Sequence, residues 1–185
     1  MPRFPQAYAA LVQRLRVPAG FLLLACFAFL AHPTVPTILA SLPVIAAGLA
    51  LRAWAAGHLE KDRNLADSGP YAYTRNPLYL GSFIVALGFS VAASSWILTA
   101  IFVAAFLLIY LPVMEREEEH LLKIFPAYRD YAARVPLLWP KAGPQGPQSF
   151  RPNVYLKNEE YKAALGVLIG LALLAAKLYW EATVP

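Results

Sequence analysis

The chain has 185 residues, 59% hydrophobic and 15% charged, where ordinary soluble domains carry roughly 25% charge; with a mean hydropathy of +0.50 it reads as an integral membrane protein. Its single cysteine, Cys26, lies in an apolar run, which excludes an internal disulfide, and nothing has a zinc or haem spacing, so no metal is expected. The net charge of +5 follows the membrane topology set out below, and no nucleic acid is expected.

In chain order, "PQAYAALVQRLR" places Tyr8, Leu11, Val12 and Leu15 on one helical face with arginines beyond, which suits a short helix lying on the membrane surface. "VPAGFLLLACFAFLA" (17–31) is the first predicted span, slightly shorter than the roughly 20 apolar residues a crossing needs. Its charged start would fit a signal peptide, but no convincing small-x-small cleavage site follows. "HPTVP" (32–36) is a turn, and "TILASLPVIAAGLALRAWAA" (37–56) returns across the bilayer.

A polar loop, 57–77, comes next. The stretch Leu78–Met114 is too long for one crossing, and "ASSW" (93–96) offers a hairpin between spans at about 78–93 and 97–114. A polar region (115–162) includes "PKAGPQGPQSFRP" (140–152), which reads as a linker, not a catalytic element. The last span is about 163–180, where Gly166 and Gly170 have small-xxx-small spacing, although ordinary packing is the simpler reading. The sequence thus predicts a single-domain, all-α integral membrane protein with five transmembrane helices.

Apart from Arg52 and Lys177, expected to reach the interface from within their spans, every Lys and Arg falls in the N-terminus, 57–77 or 115–162. Five crossings put these regions on one side. The positive-inside rule makes that side, with the N-terminus, cytosolic, and the C-terminus lies opposite. A bacterial cytoplasmic membrane suits this pattern.

The remaining polar groups form two clusters on the cytosolic face. In "SGPYAYTRNPLYLGS" (68–82), Pro70 and Pro77 stiffen a loop that carries Tyr71, Tyr73, Arg75 and Tyr79. The tyrosines alone suit an interfacial belt, and Arg75 alone a headgroup contact. In "MEREEEHLLKIFPAYRDYAARVP" (114–136), Glu115, Glu117, Glu118 and Glu119 crowd the end of a helix, where like charges repel and oppose the dipole. They are either a solvated face or a receptor for a cation.

The two clusters, in this order, resemble the isoprenylcysteine carboxyl methyltransferase family and the related phospholipid methyltransferases. The matching residues are Gly69-Pro70-Tyr71, Arg75-Asn76-Pro77-Leu78-Tyr79, Glu117-Glu118 with Leu121, and Phe125, Tyr128, Tyr131 and Val135-Pro136, with "LRAWAAGHL" (51–59) upstream. The resemblance covers roughly 48–140. Asn76 stands where the family has histidine, and "FPAY" (125–128) lacks a family glycine and one residue.

The resemblance implies S-adenosyl-L-methionine as cofactor. Leu65 and Ala66 would help enclose it. Tyr71, Asn76, Pro77, Leu78 and Tyr79 would form its wall, and Glu117 and Glu118 would hold its amino end, with His58 a looser binding candidate. Arg75 suits either the cofactor's carboxylate or a carboxylate nucleophile. An amine nucleophile would need a base such as Glu117. The resemblance further implies a lipophilic acceptor: an isoprenylcysteine carboxylate first, a phospholipid or other small lipid as alternative. A nicotinamide-dependent lipid reductase and a non-catalytic membrane subunit remain rival readings. Oligomeric state cannot be read from the sequence.

Overall fold

The computed structural model describes residues 4–141 and 149–183, so 142–148, the centre of the expected linker, lie outside the described residues. All regular structure among the described residues is helical. α1 (Gln6–Leu30) contains Pro18, which cannot donate to the preceding turn. Its arms, Ala7–Leu15 and Pro18–Leu30, meet at 55°. The expected surface helix and first span are therefore two arms of one bent helix.

α2 (Val35–Ala56) opens with a reciprocal cap. The Thr34 side chain accepts from the Thr37 N–H, and the Thr37 hydroxyl accepts from the Thr34 N–H. α3 (Pro77–Ala92) starts on a proline whose missing N–H would have been unsatisfied anyway. α2 and α3 pack backbone against backbone: a Cβ on Gly48 would stand 2.8 Å from the Gly81 carbonyl oxygen. Ser94, with φ 51°, makes the expected hairpin turn, and Ser95 caps α4 (Trp96–Ala105) by accepting from the Leu98 N–H.

α4 runs through a π-helical segment (Phe106–Tyr110) into α5 (Leu111–Ile124) without a break. The Leu111 N–H reaches the Phe106 carbonyl. Pro112 has no N–H for the Leu108 carbonyl one turn back, and the Tyr8 hydroxyl of α1 donates to that oxygen at 2.7 Å. Glu115, Glu117, Glu118 and Glu119 therefore ride inside a continuing helix, away from its C-terminal dipole.

After α6 (Tyr128–Arg134) and α7 (Pro152–Lys157), the apolar α8 (Tyr161–Thr183) completes the fold. Gly170 faces the Phe89 ring of α3 whereas Gly166 faces open space, so the two glycines do not form a joint contact stripe.

Three helices are long and apolar enough to cross a bilayer (α2, the 96–124 rod and α8), and bent α1 would make a fourth. α3 is apolar but has 16 residues, about 24 Å of helix against roughly 30 Å of hydrocarbon. This shortness is why length and composition do not give the expected five crossings. Phe21, Phe29, Trp96 and Ile169 project outward from these helices, as lipid-facing side chains do.

The two charged residues expected to reach the interface both have partners within the protein. The Lys177 ammonium donates to the Ala28 carbonyl at 2.8 Å and that of Phe29 at 3.2 Å, satisfying the last turn of α1. Arg52 is paired with Glu160.

Candidate active site

The loop between α2 and α3 is held by protein on several sides. Gly69 adopts φ +57°, and a Cβ there would stand 2.6 Å from the His58 imidazole, so only glycine fits. It opens a short buried turn (Gly69–Ala72). The Tyr131 hydroxyl donates to the Tyr71 carbonyl at 2.8 Å, a fully buried bond. The stretch following α6 zips along the same loop. The Arg75 N–H donates to the Pro136 carbonyl at 2.9 Å, the Thr74 hydroxyl to that of Leu137 at 3.2 Å, and the Lys141 N–H to that of Tyr73 at 3.0 Å. The Tyr71 and Tyr73 carbonyls and the Arg75 N–H are thus satisfied by protein.

Side chains then join this loop to α5. Arg75 pairs with Glu118, each less than a fifth exposed, and the Tyr128 hydroxyl donates to the same carboxylate at 2.9 Å. The Tyr79 hydroxyl donates to Glu117 at 2.9 Å. Burial pushes the phenols of Tyr71, Tyr128 and Tyr131 well above their ordinary value; the carboxylates of Glu117 and Glu118 add to the shift at Tyr71 and Tyr128. These tyrosines are neutral at physiological pH, and Tyr128 and Tyr131 act as donors.

Between loop and helix lies a cavity of about 1340 Å³, lined by Leu65, Ala66, Tyr71, Arg75, Leu78, Tyr79 and Glu117 together. Ligand pockets are commonly about 300–1,000 Å³, so the space is large enough for a small-molecule ligand. The other sequence-predicted residues stand behind this lining. Glu118 is turned onto Arg75 and Tyr128. The Asn76 amide is taken up by the Leu137 carbonyl at 3.1 Å, and Pro77 is buried at the start of α3. His58, 4% exposed, holds the Trp54 carbonyl through Nδ1 at 2.9 Å and packs against Gly69 and Phe150.

The lining also includes Ser82, Tyr110, Asp62 and His120, which sequence reasoning passed over, and Arg52, which it expected at the membrane interface. His120 and Asp62 face each other at 3.4 Å from α5 and the loop. No spacing rule links such distant positions. An arginine inside an apolar run was the one signal that pointed to this wall.

The donor set suits a ligand bearing both charges. Glu115, Glu117 and Glu119 bring negative charge to the cavity. Arg75 Nε is buried and has no hydrogen-bond partner among the described residues. Among those residues, no group of three or more His, Cys, Asp or Glu is placed to hold a metal ion.

Residues 37–128 match the family model of the phospholipid methyltransferases. The chain is 39% identical over 93 residues to the nickel-cobalt-cadmium resistance protein NccN of Alcaligenes xylosoxydans, a match covering 49% of this chain and 43% of that protein. It is 35% identical over 92 residues to the cobalt-zinc-cadmium resistance protein CzcN of Cupriavidus metallidurans, with 49% and 43% covered. It is 31% identical over 99 residues to the protein-S-isoprenylcysteine O-methyltransferase of Schizosaccharomyces pombe, with 53% and 42% covered. The matched stretch thus spans less than half the length of each of these curated relatives. No solved structure matches the chain significantly. Both segments that meet at the cavity, the Arg75–Tyr79 opening of α3 and the acidic turn of α5, fall inside the matched residues, and through them the chain belongs to the phospholipid methyltransferase family.

Proposed function

We propose that the protein is a membrane-embedded, S-adenosyl-L-methionine-dependent methyltransferase of a lipophilic acceptor, with O-methylation of an isoprenylcysteine-like carboxylate as the leading reaction. The observation that carries this reading is that Arg75 and Glu117, from segments far apart in the chain, line one cavity. In the proposed topology α3, lengthened by the buried loop before it, makes a fifth crossing. The basic residues put the cavity and the N-terminus in the cytosol, with the C-terminus opposite, in a bacterial cytoplasmic membrane.

When bound, the cofactor supplies an electrophilic methyl group on a sulfonium. The chain's own residues would bind, orient and exclude water. Glu117, fixed by Tyr79, would face the cofactor's ammonium, a charge-assisted contact. Leu65, Ala66, Tyr71, Leu78 and Tyr79 would form the wall. Asn76, Pro77 and His58 would hold that wall from behind, and Glu118 would fix Arg75. The unpartnered Nε of Arg75 suits a carboxylate of cofactor or acceptor. A carboxylate nucleophile is already charged and needs no base, only alignment, which can supply roughly 7–11 kcal/mol of a barrier. An amine would have to lose a proton, and Glu117 would be its base.

The test is incubation of the purified chain with isotope-labelled methyl donor and a membrane extract, followed by identification of the labelled product. A labelled prenylcysteine ester supports the leading reaction, and a labelled lipid amine moves the choice to a phospholipid. Calorimetric titration with S-adenosylhomocysteine and NADPH completes it: saturable binding of NADPH alone overturns the proposal in favour of a reductase, and binding of neither leaves a non-catalytic subunit.

A further inference from the structure

α8 and the segment leading into it lie beyond the family match, yet they are fastened to the cavity wall. The Asn158 amide donates to the carbonyls of Ala56 and Leu59, both at 2.8 Å, and so closes the C-terminus of α2. Arg151 pairs with Glu60 at 2.8 Å. At the start of α8, Glu160 takes Arg52 in a two-pronged ion pair, Nε at 2.6 Å and Nη2 at 3.0 Å. The remaining nitrogen, Nη1, donates to the Leu78 carbonyl at 3.3 Å and to the Ser82 hydroxyl.

This network is largely buried, with Arg52 22% and Glu160 11% exposed. Well-packed apolar residues would stabilise such a place at least as well as a buried pair. An ionisable group inside a membrane-spanning helix calls for a functional reason. The reason lies in the asymmetry of the pair. Arg52 and Ser82 line the cavity, whereas Glu160 stands outside its lining. The lining thus takes in Arg52 and not its counter-ion, and after the bonds to Glu160, Leu78 and Ser82 one N–H of Nη2 is left over. α5 brings Glu115, Glu117 and Glu119 to the same space together with Arg116 and Lys123, whereas Arg52 is the charged residue that α2 brings to it.

We propose that Arg52, oriented by Glu160 and Ser82, is a second anion-recognition site of the cavity, taking the carboxylate or phosphate of the lipid acceptor's headgroup. This rests on the methyltransferase reading and adds to it a role for α8. Glu160 is a positioning residue: it fixes the guanidinium plane without touching the acceptor. If the recognised anion is the carboxylate that becomes methylated, the product ester loses its charge and with it this contact, which favours release.

The test uses the full chain in phosphatidylcholine nanodiscs. Equilibrium binding is measured for farnesylcysteine with a free carboxylate, for its methyl ester and for phosphatidic acid, beside calorimetric binding of S-adenosylhomocysteine. The parent chain is expected to prefer one of the anions over the neutral ester by about tenfold, the scale of one charge-assisted contact; which anion wins identifies the source. Arg52→Gln should abolish that preference, and Glu160→Gln should reduce it by about threefold or more, with S-adenosylhomocysteine affinity held within about twofold in both. If Arg52→Gln does not assemble, Ser82→Ala must show the same reduced preference. A preference absent from the parent, or retained in the variants, overturns the site. So does a parallel loss of S-adenosylhomocysteine affinity, which would place Arg52 in the cofactor wall. An Arg52-dependent preference in a chain that binds no S-adenosylhomocysteine would uphold the site and sink the methyltransferase reading.

Discussion

Arg75 and Glu118, 43 residues apart, form an ion pair that joins the segment opening α3 to the acidic turn of α5. Tyr128 holds the same carboxylate from α6. Removing the acid would leave a largely buried guanidinium uncompensated. Breaking a fully buried pair costs about 3–5 kcal/mol; here solvent still reaches both partners, so Glu118→Ala is expected to destabilise by about 2–3 kcal/mol. Glu118→Gln keeps an oxygen for Tyr128 and should lose less. Thermal unfolding in detergent ranks the two, and equal stability of Glu118→Ala and the parent would show that the pair does not hold the fold.

The Tyr131 hydroxyl is a purer case. It donates to the buried Tyr71 carbonyl, with no charge involved. Tyr131→Phe leaves that oxygen without its donor, at a cost of about 1–3 kcal/mol. Because Tyr71 lines the cavity, the loss should also appear as weaker S-adenosylhomocysteine binding, measured by calorimetry.

Three raised phenols set an alkaline limit. Tyr71, Tyr128 and Tyr131 are held neutral in the folded chain, chiefly by burial, above the ordinary value of 10.0. A group whose folded value is raised contributes its full stability below the unfolded value and loses it as pH rises beyond that. Stability should therefore be insensitive to these residues below pH 10 and fall above it. Tyrosinate absorbance during an alkaline titration should show them ionising only together with unfolding; their reversible ionisation in the native protein would contradict the burial.

Gly69 carries two constraints at once: a left-handed backbone and contact with the His58 ring. Gly69→Ala should cost about 1–2 kcal/mol from the backbone alone, plus the steric overlap. His58→Ala removes the overlap but not the backbone term. A double-mutant cycle on unfolding free energy should thus give a favourable coupling of about 1 kcal/mol, and a coupling of zero would mean that the imidazole yields freely.

Much of the helical layout can be read from hydropathy, because a bilayer imposes a length on apolar runs. α2 and α3 begin and end within about two residues of expectation, and the hairpin falls at Ser94 as expected. The N-terminal stretch reads as two elements because an amphipathic, arginine-bearing segment gives way to an apolar run at 17, whereas a single helix bent at Pro18 carries both. The cavity is legible in part for a different reason. Arg75–Tyr79 and the glutamates of α5 are local motifs, and each is visible by itself. Arg52–Glu160, Asn158 on α2 and Tyr131 on Tyr71 are pairings across a hundred residues or several dozen, with no periodicity to announce them. Whether an arginine in an apolar run reaches the interface or finds a partner depends on where a distant helix docks, and composition does not carry that information.

Glu117 is where charge and hydrogen bonding can be separated. Its carboxylate accepts from Tyr79 and lines the cavity, so its negative charge meets the ligand while its position is set by the phenol. Glu117→Gln keeps an oxygen for Tyr79 and removes the charge; Tyr79→Phe keeps the charge and removes the restraint. If Glu117 faces the cofactor's ammonium, the first substitution should weaken S-adenosylmethionine binding by about tenfold, about 1.4 kcal/mol. The deficit should shrink as salt is raised, since screening already weakens the parent's contact. Tyr79→Phe should weaken binding less, without that salt dependence. Calorimetric titration at low and high ionic strength checks both. Unchanged affinity in Glu117→Gln, with the chain folded, would remove Glu117 from the cofactor's side of the cavity.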